Sequence, residues 1–410
     1  MPSEDPSPPG ALYLTAREAA AELGVSPATL YAYVSRGLIR SERQPGSRRR
    51  LYAAADVRTI GARREGERAP AAAPGETLDF GAPVLDSAIT LITGDSLFYR
   101  GRDAVRMARE ARLEVVAGLI WDAEGDGADD PFEASAPAEP PAVAAARPAL
   151  AGLRPIERCQ ALLPVIAAAD EAAFNVTPAG RRATGARILR WMAALAADTM
   201  PDRRPVHRLL CDGWGLSEAA AEPLRTALVL SADHELNAST FAVRVTASTG
   251  ATAYAGVQAG LAALGGPRHG GMTERAGALL DRLLATRDPE AALAEGLRRG
   301  DDLPGFGHPL YPNGDPRAKA LIEAVAAAFP DHPDVEAMRR LAAAVAAQAG
   351  RPPTIDAGLA LLARVAGLPP GAALGVFAVG RTVGWVGHAL EQAQSGRLIR
   401  PRARYVGRRG

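Results

Sequence analysis

Two of the six histidines in this 410-residue chain, His234 and His269, flank a nearly uncharged segment rich in Ala, Gly, Ser, Thr and Val. Within that segment, residues 252–264 predict a helix that is buried on several sides, because small side chains let helices approach closely. A Gly-Gly-Pro run predicts the end of this helix and leaves His269 on a glycine-flanked turn. A histidine held beside a buried helix suits acid–base chemistry, although a hydrogen-bonded core histidine fits the same pattern.

A second group of residues with catalytic side chains lies further along the chain. His308 stands on a loop framed by glycine and proline, Arg317 opens the helix that follows, and Asp356 stands at the start of a later helix. Arg381 and Arg400 add two guanidinium groups. Because a guanidinium fork binds a carboxylate through two hydrogen bonds, these arginines suit a substrate with several carboxylates. For each arginine taken singly, a solvated surface charge is the alternative.

The composition is that of an ordinary soluble protein with room for two or three domains. Apolar residues make up 48% of the chain, charged residues 23%, and the net charge is +1, so any nucleic-acid binding must be local. Two cysteines form no disulfide framework and predict a reducing compartment. No apolar run reaches the length of about eighteen residues that a membrane helix needs, and the polar start predicts no signal peptide. We therefore predict a cytoplasmic protein without membrane contact, and the Cys/His spacing predicts no metal site.

Residues 11–64 carry the pattern of a helix, a glycine turn and a second helix. Thr15 and Glu18 predict a capping box, Gly24 the end of the first helix, and Ser26 the cap of the second. This pattern resembles the winged helix-turn-helix of the MerR and excisionase-like families, in which a short basic hairpin follows the recognition helix. The resemblance is carried by Thr15-Ala16-Arg17-Glu18-Ala19-Ala20, Leu23-Gly24-Val25-Ser26, Thr29-Leu30-Tyr31 and Arg36-Gly37-Leu38-Ile39.

The resemblance implies that this domain binds duplex DNA. The second helix would lie in a major groove, and arginines of the wing would neutralise phosphates. The residues assigned to DNA contact are Thr29, Tyr31, Arg36, Arg40, Arg43, Arg48, Arg49 and Arg50. A small helical protein-interaction module with a solvated arginine run is the alternative.

The rest of the chain predicts mainly helices. We expect a disordered start at residues 1–10, a Pro- and Ala-rich linker at 65–84, and a β-hairpin with a Gly94-Asp95 turn before the first long helices. The Ala-, Pro- and acid-rich stretch 125–149 predicts an exposed loop. Beyond it nearly every segment has helical periodicity. The predicted class is therefore all-α with one short β-hairpin, preceded by the winged helix-turn-helix domain.

Residues 85–410 resemble citrate synthase. The motifs that carry the resemblance are Tyr99-Arg100-Gly101, Asp233-His234-Glu235-x-Asn237-Ala238-Ser239, Gly266-Pro267-x-His269-Gly270-Gly271, Gly305-Phe306-Gly307-His308 through Asp315-Pro316-Arg317, then Asp356, Arg381 and Arg400-Pro401-Arg402. The resemblance implies a mostly helical homodimer without a cofactor. Each subunit would have a large domain, residues 85–271 and 367–410, and a small lid domain, residues 272–366, that closes on oxaloacetate.

The same resemblance implies a role for each of these side chains. Asp356 would take a methyl proton from acetyl-CoA, the co-substrate, and His269 would hydrogen-bond the thioester carbonyl. His308 would polarise the ketone of oxaloacetate and protonate the new alkoxide. Base and hydrogen-bond donor must act together in a dry site, because neither reacting group is reactive alone. The carboxylates of oxaloacetate would be bound by His234, Arg317, Arg381 and Arg400, the last reaching across from the other subunit.

Two departures from the family bear on coenzyme A binding. Pro312 stands where the family usually has a basic or polar residue, and Pro309 follows His308 directly. Asp356 is followed by Ala357, where an aromatic residue is usual. Three functions are therefore open from the sequence: an active citrate synthase with a DNA-binding appendage, a transcription regulator whose synthase-like domain senses a carboxylate or acyl-CoA, and a 2-methylcitrate synthase that uses propionyl-CoA.

Overall fold

The chain divides into two compact units, residues Met1–Val84 with Arg404–Gly410, and residues Leu85–Ala403. The computed structural model describes residues 13–43, 50–54, 56–57, 60, 85–121, 130–133, 136–403 and 405–408. The predicted disordered start and the predicted linker lie outside the described residues. The finer division of the second unit into a large domain and a lid domain stays a prediction.

The described part of the first unit contains helices α1 and α2 and a three-stranded antiparallel sheet, and residues 54, 56–57 and 60 are helical as well. Its elements are β1 Tyr13–Thr15, α1 Ala16–Glu22, α2 Pro27–Ser35, β2 Ser41–Arg43 and β3 Arg50–Ala53. β3 is the central strand and pairs with both β1 and β2. The unit has a small core of its own, formed by Ala19, Ala20, Leu23, Leu30, Ile39, Tyr52, Val57 and Ile60.

The helix ends predicted for the first unit are confirmed. The Glu18 N–H donates to the Thr15 hydroxyl at 3.3 Å, and the Thr15 N–H donates to the Glu18 carboxylate at 2.8 Å, which is a capping box. Gly24 follows α1 with φ of 58°, a left-handed conformation that glycine adopts readily. Ser26 caps α2 by accepting the Thr29 N–H at 3.3 Å. β2 and β3 are the paired strands of the predicted wing, whose tip, residues 44–49, lies outside the described residues.

The second unit begins with a small antiparallel sheet. β4 Thr90–Thr93 and β5 Ser96–Tyr99 form the predicted hairpin around Gly94-Asp95. A third strand, β6 Arg102–Asp103, pairs with β5 and was missed from the sequence because it has only two residues. Tyr99 is fully buried, and its hydroxyl donates to a backbone carbonyl of the helical body at 3.1 Å. This bond attaches the sheet to the helices.

Helices make up nearly all the rest of the second unit, which confirms the all-α class. They are α3 Ala104–Glu110, α4 Leu113–Ile120, α5 Pro141–Ala146, α6 Pro155–Ala169, α7 Pro178–Ala196, α8 Val206–Gly213, α9 Ala221–Leu230, α10 Ala238–Ser248, α11 Ala253–Leu264, α12 Gly271–Leu284, α13 Pro289–Arg299, α14 Pro316–Ala328, α15 Pro333–Ala349, α16 Ile355–Ala366 and α17 Ala372–Ser395. Single-turn 3-10 helices occur at Arg147–Leu150, Glu171–Phe174 and Glu218–Ala220.

Helix α17 is the centre of the second unit and packs against α4, α7, α9, α10 and α11. By length and composition alone it could cross a membrane, but 89% of its most apolar window is buried inside the unit, as in a core helix. Its glycines allow α9 and the segment that follows it to approach closely. A Cβ on Gly380 would lie 2.6 Å from the carbonyl oxygen of Leu228, and a Cβ on Gly384 would lie 2.5 Å from that of Ala232. Both distances are too short for any residue other than glycine.

The predicted loop at residues 125–149 is wrong in part. Pro141–Ala146 forms helix α5, because proline at the first position and the alanines after it favour a helix. Val143 is fully buried, and Phe132 stacks on Trp121 with ring centroids 5.7 Å apart. The composition could not reveal this packing. Residues 122–129 and 134–135 lie outside the described residues.

Candidate active site

The loop that carries His308 is fixed against the chain that leads into α16. Gly305 and Gly307 have φ of 87° and 81°, a region that glycine enters without strain. The Gly307 N–H donates to the Pro352 carbonyl at 2.7 Å, and the Thr354 N–H donates to the Gly305 carbonyl at 2.8 Å. These bonds fold two segments distant in sequence onto each other, so the loop histidine has a defined position.

His308 meets His234 edge to face, with ring centroids 5.3 Å apart. The Leu310 N–H donates to Nδ1 of His308 at 3.1 Å. Because Nδ1 accepts, the neutral ring carries its proton on Nε2, which can donate to a bound molecule. Burial, with a further contribution from the charge of Arg317, lowers the pKa of His308. The ring is therefore a neutral hydrogen-bond donor at pH 7.

His234 lies deeper and shares a hydrogen bond with Tyr311. Its Nε2 is 3.0 Å from the Tyr311 hydroxyl. Burial, followed by the charges of Arg317 and Arg381, holds the pKa of His234 well below its usual range. Burial also raises the pKa of Tyr311 to about 12. The side chains of His234 and Tyr311 are therefore both neutral at pH 7 and joined by a hydrogen bond.

Arg317 is held by the carboxylate of Asp315, the N-cap residue of the same helix, α14. Its Nε and Nη2 donate to the two oxygens of Asp315 at 2.9 and 2.8 Å, and both side chains are buried. Asp315 also accepts the Ile355 N–H at 3.0 Å, so the start of α14 is tied to the start of α16. The guanidinium carbon of Arg317 lies 5.4 Å from the ring centroid of Tyr311. The fork is thus aligned before any ligand arrives.

Arg381 is a buried cation without a carboxylate partner. It is 1% exposed, and its Nε donates to the Ser231 carbonyl at 2.9 Å. Its guanidinium carbon lies 4.7 Å from the ring centroid of Phe377, one helical turn earlier on α17. Burial lowers the pKa of Arg381 to about 10, so it remains charged at pH 7. Within the described residues no carboxylate contacts its two terminal nitrogens, and an uncompensated buried charge favours an anionic ligand.

Asp356 stands in the first turn of α16 and is held by two hydroxyls. The Thr273 hydroxyl donates to Oδ1 at 2.6 Å, and the Thr354 hydroxyl donates to Oδ2 at 3.3 Å. Burial raises the pKa of Asp356, and the two hydrogen bonds only partly oppose it. A desolvated carboxylate is a stronger proton acceptor than one in water, which suits a general base.

His269 is held through a serine that has several partners. Its Nε2 is 2.8 Å from the Ser239 hydroxyl, which donates to the Asn237 side-chain oxygen at 2.7 Å and accepts the Trp385 indole N–H at 3.1 Å. Because the single proton of Ser239 is given to Asn237, Nε2 of His269 donates to Ser239 and carries the proton of the neutral ring. A hydrogen bond from Nδ1 to a ligand requires Ser239 to turn its proton to Nε2. Burial, with a smaller effect from the charge of Arg381, lowers the pKa of His269 to about 4, so the ring is neutral at pH 7.

The structure brings six of the seven predicted site residues into one network. His234 and His308 are in ring contact, and Arg381 and His269 share Phe377, whose ring centroid lies 6.4 Å from that of His269. The remaining two, Arg317 and Asp356, interact electrostatically with Arg381 and with each other. Arg400 is not part of the network. It is exposed and makes no hydrogen bond or ion pair within the described residues.

Sequence reasoning missed the residues that hold this network in place. They are Tyr311, Asp315, Thr273, Ser239 and Phe377. Two of them had a usable signal. Phe377 precedes Arg381 by four residues on a helix, which places the two side chains on one face. Asp315 precedes the proline that opens α14, which is the position of an N-cap.

The residues predicted to contact DNA are only partly free to do so. Arg40 donates from Nε and Nη2 to both oxygens of Asp56 at 2.9 and 3.0 Å, so this predicted phosphate contact is already paired with a carboxylate. Arg50 donates to the Ser41 hydroxyl at 3.2 Å, opposite Arg43 on the paired strand. The Thr29 hydroxyl bonds that of Ser26 at 3.0 Å, Tyr31 is 54% exposed, and Arg36 is exposed at the end of α2. Arg48 and Arg49 lie outside the described residues.

The described residues of the second unit combine a desolvated aspartate, neutral histidines and a buried arginine that no carboxylate contacts, an arrangement that suits acid–base chemistry on a carboxylate. The comparison with known proteins names the class. Residues 79–402 match the model of the citrate synthase C-terminal domain, and residues 15–52 match that of MerR family regulatory proteins. The chain therefore belongs to the citrate synthase family, and it carries a MerR-type helix-turn-helix at its N-terminus.

Individual relatives agree with this assignment. Citrate synthase of Haloferax volcanii is 32% identical over 361 residues, which cover 80% of this chain and 94% of that protein. A 2-methylcitrate synthase of Mycobacterium tuberculosis is 27% identical over 339 residues, which cover 76% and 85% of the two chains. The structure of Thermoplasma acidophilum citrate synthase in a ternary complex with carboxymethyl coenzyme A and oxaloacetate matches with a TM-score of 0.67 and 27% identity. That match covers 80% of this chain and 95% of the other.

The pKa of Asp356 leads to a prediction about pH. Burial raises the pKa of Asp356. Because the base must be ionised, kcat/KM should fall on acidification with a midpoint above pH 3.8, the ordinary pKa of aspartic acid. His269, whose pKa is lowered to about 4, stays neutral above that pH, and burial lowers the pKa of His308 as well. Initial rates from about pH 5 to pH 9 measure the acid limb. Asp356→Glu should move the limb, and removing the exposed carboxylate of Asp331 by Asp331→Asn should not. A limb that is identical in all three proteins contradicts Asp356 as its source.

Proposed function

We propose that this protein condenses oxaloacetate with acetyl-CoA to give citrate and coenzyme A. The observation that carries the proposal is the buried guanidinium of Arg381, which has no carboxylate partner within the described residues and shares Phe377 with His269. A dicarboxylate supplies the missing negative charge. Membership in the citrate synthase family and the Thermoplasma acidophilum complex, whose ligands are oxaloacetate and a coenzyme A analogue, support the same substrates.

The proposed chemistry assigns one task to each of the three catalytic side chains, Asp356, His269 and His308. The Asp356 carboxylate takes a proton from the methyl group of the thioester, and His269, with the Ser239 proton turned to its Nε2, donates from Nδ1 to the developing enol oxygen. The enol carbon then forms a bond to the ketone carbon of oxaloacetate. The Nε2–H of His308 polarises that ketone and delivers its proton to the alkoxide. A water molecule must cleave the thioester of the product to release coenzyme A and citrate. Acetyl-CoA is thus a co-substrate, and the scheme needs no cofactor.

The two condensation reactions that relatives catalyse differ only in the acyl group. Because both a citrate synthase and a 2-methylcitrate synthase match over most of this chain, the acyl-CoA specificity is a separate question. A thiol-release assay with acetyl-CoA and with propionyl-CoA, each with saturating oxaloacetate, decides it. We expect the higher kcat/KM with acetyl-CoA. A preference for propionyl-CoA identifies a 2-methylcitrate synthase, and no thiol release with either contradicts the proposed function and leaves the sensor as the alternative.

We also propose a homodimer in which Arg400 completes the site of the other subunit. Arg400 is exposed, and the segment that carries it is fixed at the end of α10, where the Ile399 N–H donates to the Ser248 hydroxyl at 3.1 Å. Beside it lie a cavity of about 360 Å³ and two largely exposed apolar side chains, Phe174 and Val176. A second subunit would cover them. The buried free thiols of the two cysteines support a cytoplasmic location.

Mixing two inactive variants tests this sharing. Chains with Arg400→Ala and chains with Asp356→Asn should each be nearly inactive as homodimers, and random mixing should restore about a quarter of wild-type activity, since half the dimers gain one intact site. The matched control mixes Asp356→Asn with His269→Ala, which affect the same subunit's contribution and should restore nothing. Verified heterodimers of the first pair that remain inactive contradict the sharing.

For the first unit we propose binding to duplex DNA, supported by the MerR match and by the wing arginines Arg43 and Arg50.

The affinity of the chain for DNA, measured by fluorescence anisotropy against promoter fragments, should fall steeply with salt because phosphate contacts dominate. The double variant Arg43→Gln, Arg50→Gln should reduce the salt slope by about 2. The control Arg106→Gln removes an exposed arginine of the second unit and should change nothing. Affinity that does not exceed that of random DNA at low salt identifies a protein-interaction module. Repeating the titration with oxaloacetate tests whether this ligand changes the affinity for DNA.

A further inference from the structure

A buried polar cluster lies directly behind the substrate histidine. It comprises Asp233 next to His234, His388 and Glu391 on α17, and Arg244 on α10. The His388 Nε2 is 3.3 Å from both carboxylate oxygens of Asp233, and both residues are fully buried. Arg244 donates to Nδ1 of His388 at 3.3 Å and to Glu391 at 2.5 Å. We call these four residues the Asp233–His388 cluster.

The hydrogen bonds define the protonation of His388. Arginine has only donors, so Nδ1 of His388 must accept and its proton must lie on Nε2, facing Asp233. The orientation of Arg244 is fixed in turn by Gln392, whose side-chain oxygen accepts its Nε at 3.0 Å. The imidazole is therefore held in one tautomer and one orientation, and it presents a single N–H to the carboxylate. Glu391 balances the charge of Arg244 within the cluster.

The cluster acts on the backbone that carries His234. The N–H of Gly384 donates to the Ala232 carbonyl at 2.9 Å, and the Nε of Arg381 donates to the Ser231 carbonyl. Asp233 lies in the chain between Ala232, whose carbonyl accepts one of these bonds, and His234. A Cβ on Gly384 would overlap the Asp233 carboxylate, so the chain and α17 are in direct contact here. Any movement of Asp233 therefore moves His234 and alters the support of Arg381.

The same carboxylate is also fixed from the hairpin. The Thr90 hydroxyl donates to Asp233 at 2.5 Å, and the Ala88 N–H donates to Glu391 at 2.8 Å. Asp233 thus receives hydrogen bonds from β4 and from α17. In the proposed scheme neither Thr90 nor His388 contacts the substrate itself.

We propose that Asp233 and His388 are positioning residues for oxaloacetate, which fix the place of His234 and the backbone support of Arg381. The inference rests on the proposed condensation and extends its site to residues that do not touch the substrate. A structural role alone would change stability, whereas a positioning role changes the affinity for one substrate. The two substrates of the reaction provide the internal comparison.

The decisive variant is His388→Leu, which keeps the volume and removes both hydrogen bonds. KM for oxaloacetate and its Kd by calorimetry should rise about tenfold, with KM for acetyl-CoA changed less than about twofold. His388→Gln, which can accept from Arg244 and donate to Asp233, should recover most of the oxaloacetate affinity. The matched control is Thr382→Val, because Thr382 is equally buried on α17 and donates to the Ala378 carbonyl at 2.8 Å, away from the cluster. It should lower the melting temperature without changing either KM.

A second variant keeps the test decisive if His388→Leu does not fold. Thr90→Val removes one hydrogen bond to Asp233 at a half-buried position and should raise KM for oxaloacetate about threefold to tenfold. Folded variants whose oxaloacetate affinity is unchanged while wild-type turnover is normal overturn the positioning role alone. Equal losses for both substrates overturn it as well. A wild-type chain that binds no oxaloacetate contradicts the proposed function and this inference together.

Discussion

Replacing Asp356 by asparagine should lower kcat by a factor of about 100 to 10,000, because the reaction loses its general base while the shape of the site is kept. The amide oxygen can still accept from the Thr273 hydroxyl in place of Oδ1, and the amide nitrogen in place of Oδ2 can donate to the Thr354 hydroxyl. KM for oxaloacetate should change little, since Asp356 contacts the acyl-CoA and not the dicarboxylate in the proposed scheme. Steady-state rates of the folded protein measure both quantities.

The same substitution should affect stability in the opposite direction. Burial raises the pKa of Asp356 in the folded state above its unfolded value, so the folded state holds the proton more tightly. The stabilising contribution is present at low pH and is lost as pH rises through the folded pKa. At neutral pH the ionised carboxylate is a cost that Asp356→Asn removes. The melting temperature of the variant should therefore equal or exceed that of the wild type, by a margin that grows with pH.

A matched control separates these effects from a general loss of charge. Asp331→Asn removes an exposed carboxylate and should leave kcat and its pH profile unchanged. Near-wild-type turnover of Asp356→Asn contradicts the assignment of the base. A variant that is less stable than the wild type at every pH contradicts the stability prediction that follows from the raised pKa of Asp356.

Replacing Arg381 by lysine should raise KM for oxaloacetate about a hundredfold, with a smaller change in kcat. Lysine keeps the positive charge but has neither the fork that donates two parallel hydrogen bonds nor the planar face that lies over Phe377. It also lacks the Nε that bonds the Ser231 carbonyl. The effect should be larger than that of any single positioning residue, because in the proposed scheme the Arg381 side chain itself binds the substrate.

The control for this prediction is Arg158→Lys. Arg158 is also buried and donates to the carbonyls of Leu195 and Leu153, both at 3.0 Å, far along the chain from the site residues. Its replacement should lower the melting temperature and leave KM for oxaloacetate unchanged. Unchanged KM and unchanged calorimetric Kd in the folded Arg381→Lys variant contradict Arg381 as a carboxylate ligand.

The sequence by itself determined the features that depend on near neighbours. The capping box of α1, the cap of α2 and the Gly94-Asp95 turn were all predicted correctly, because each is formed by residues within three or four positions of one another. The chemically capable side chains were also identified from their types and from a resemblance carried by several motifs in one order. Six of the seven meet in the structure. The exception, Arg400, is predicted to act on another subunit.

Only the tertiary structure decided how those side chains are held and charged. The Thr273–Asp356, His234–Tyr311 and Asp233–His388 contacts join residues 83, 77 and 155 positions apart. No local pattern encodes such pairs, since they exist only once the helices have packed. The directions of the pKa shifts of Asp356 and His269 follow from the same burial. The sequence shows that Arg381 is charged but not which side chains surround it. Only packing decides that, within the described residues, no carboxylate contacts it, and the proposed carboxylate site follows from this.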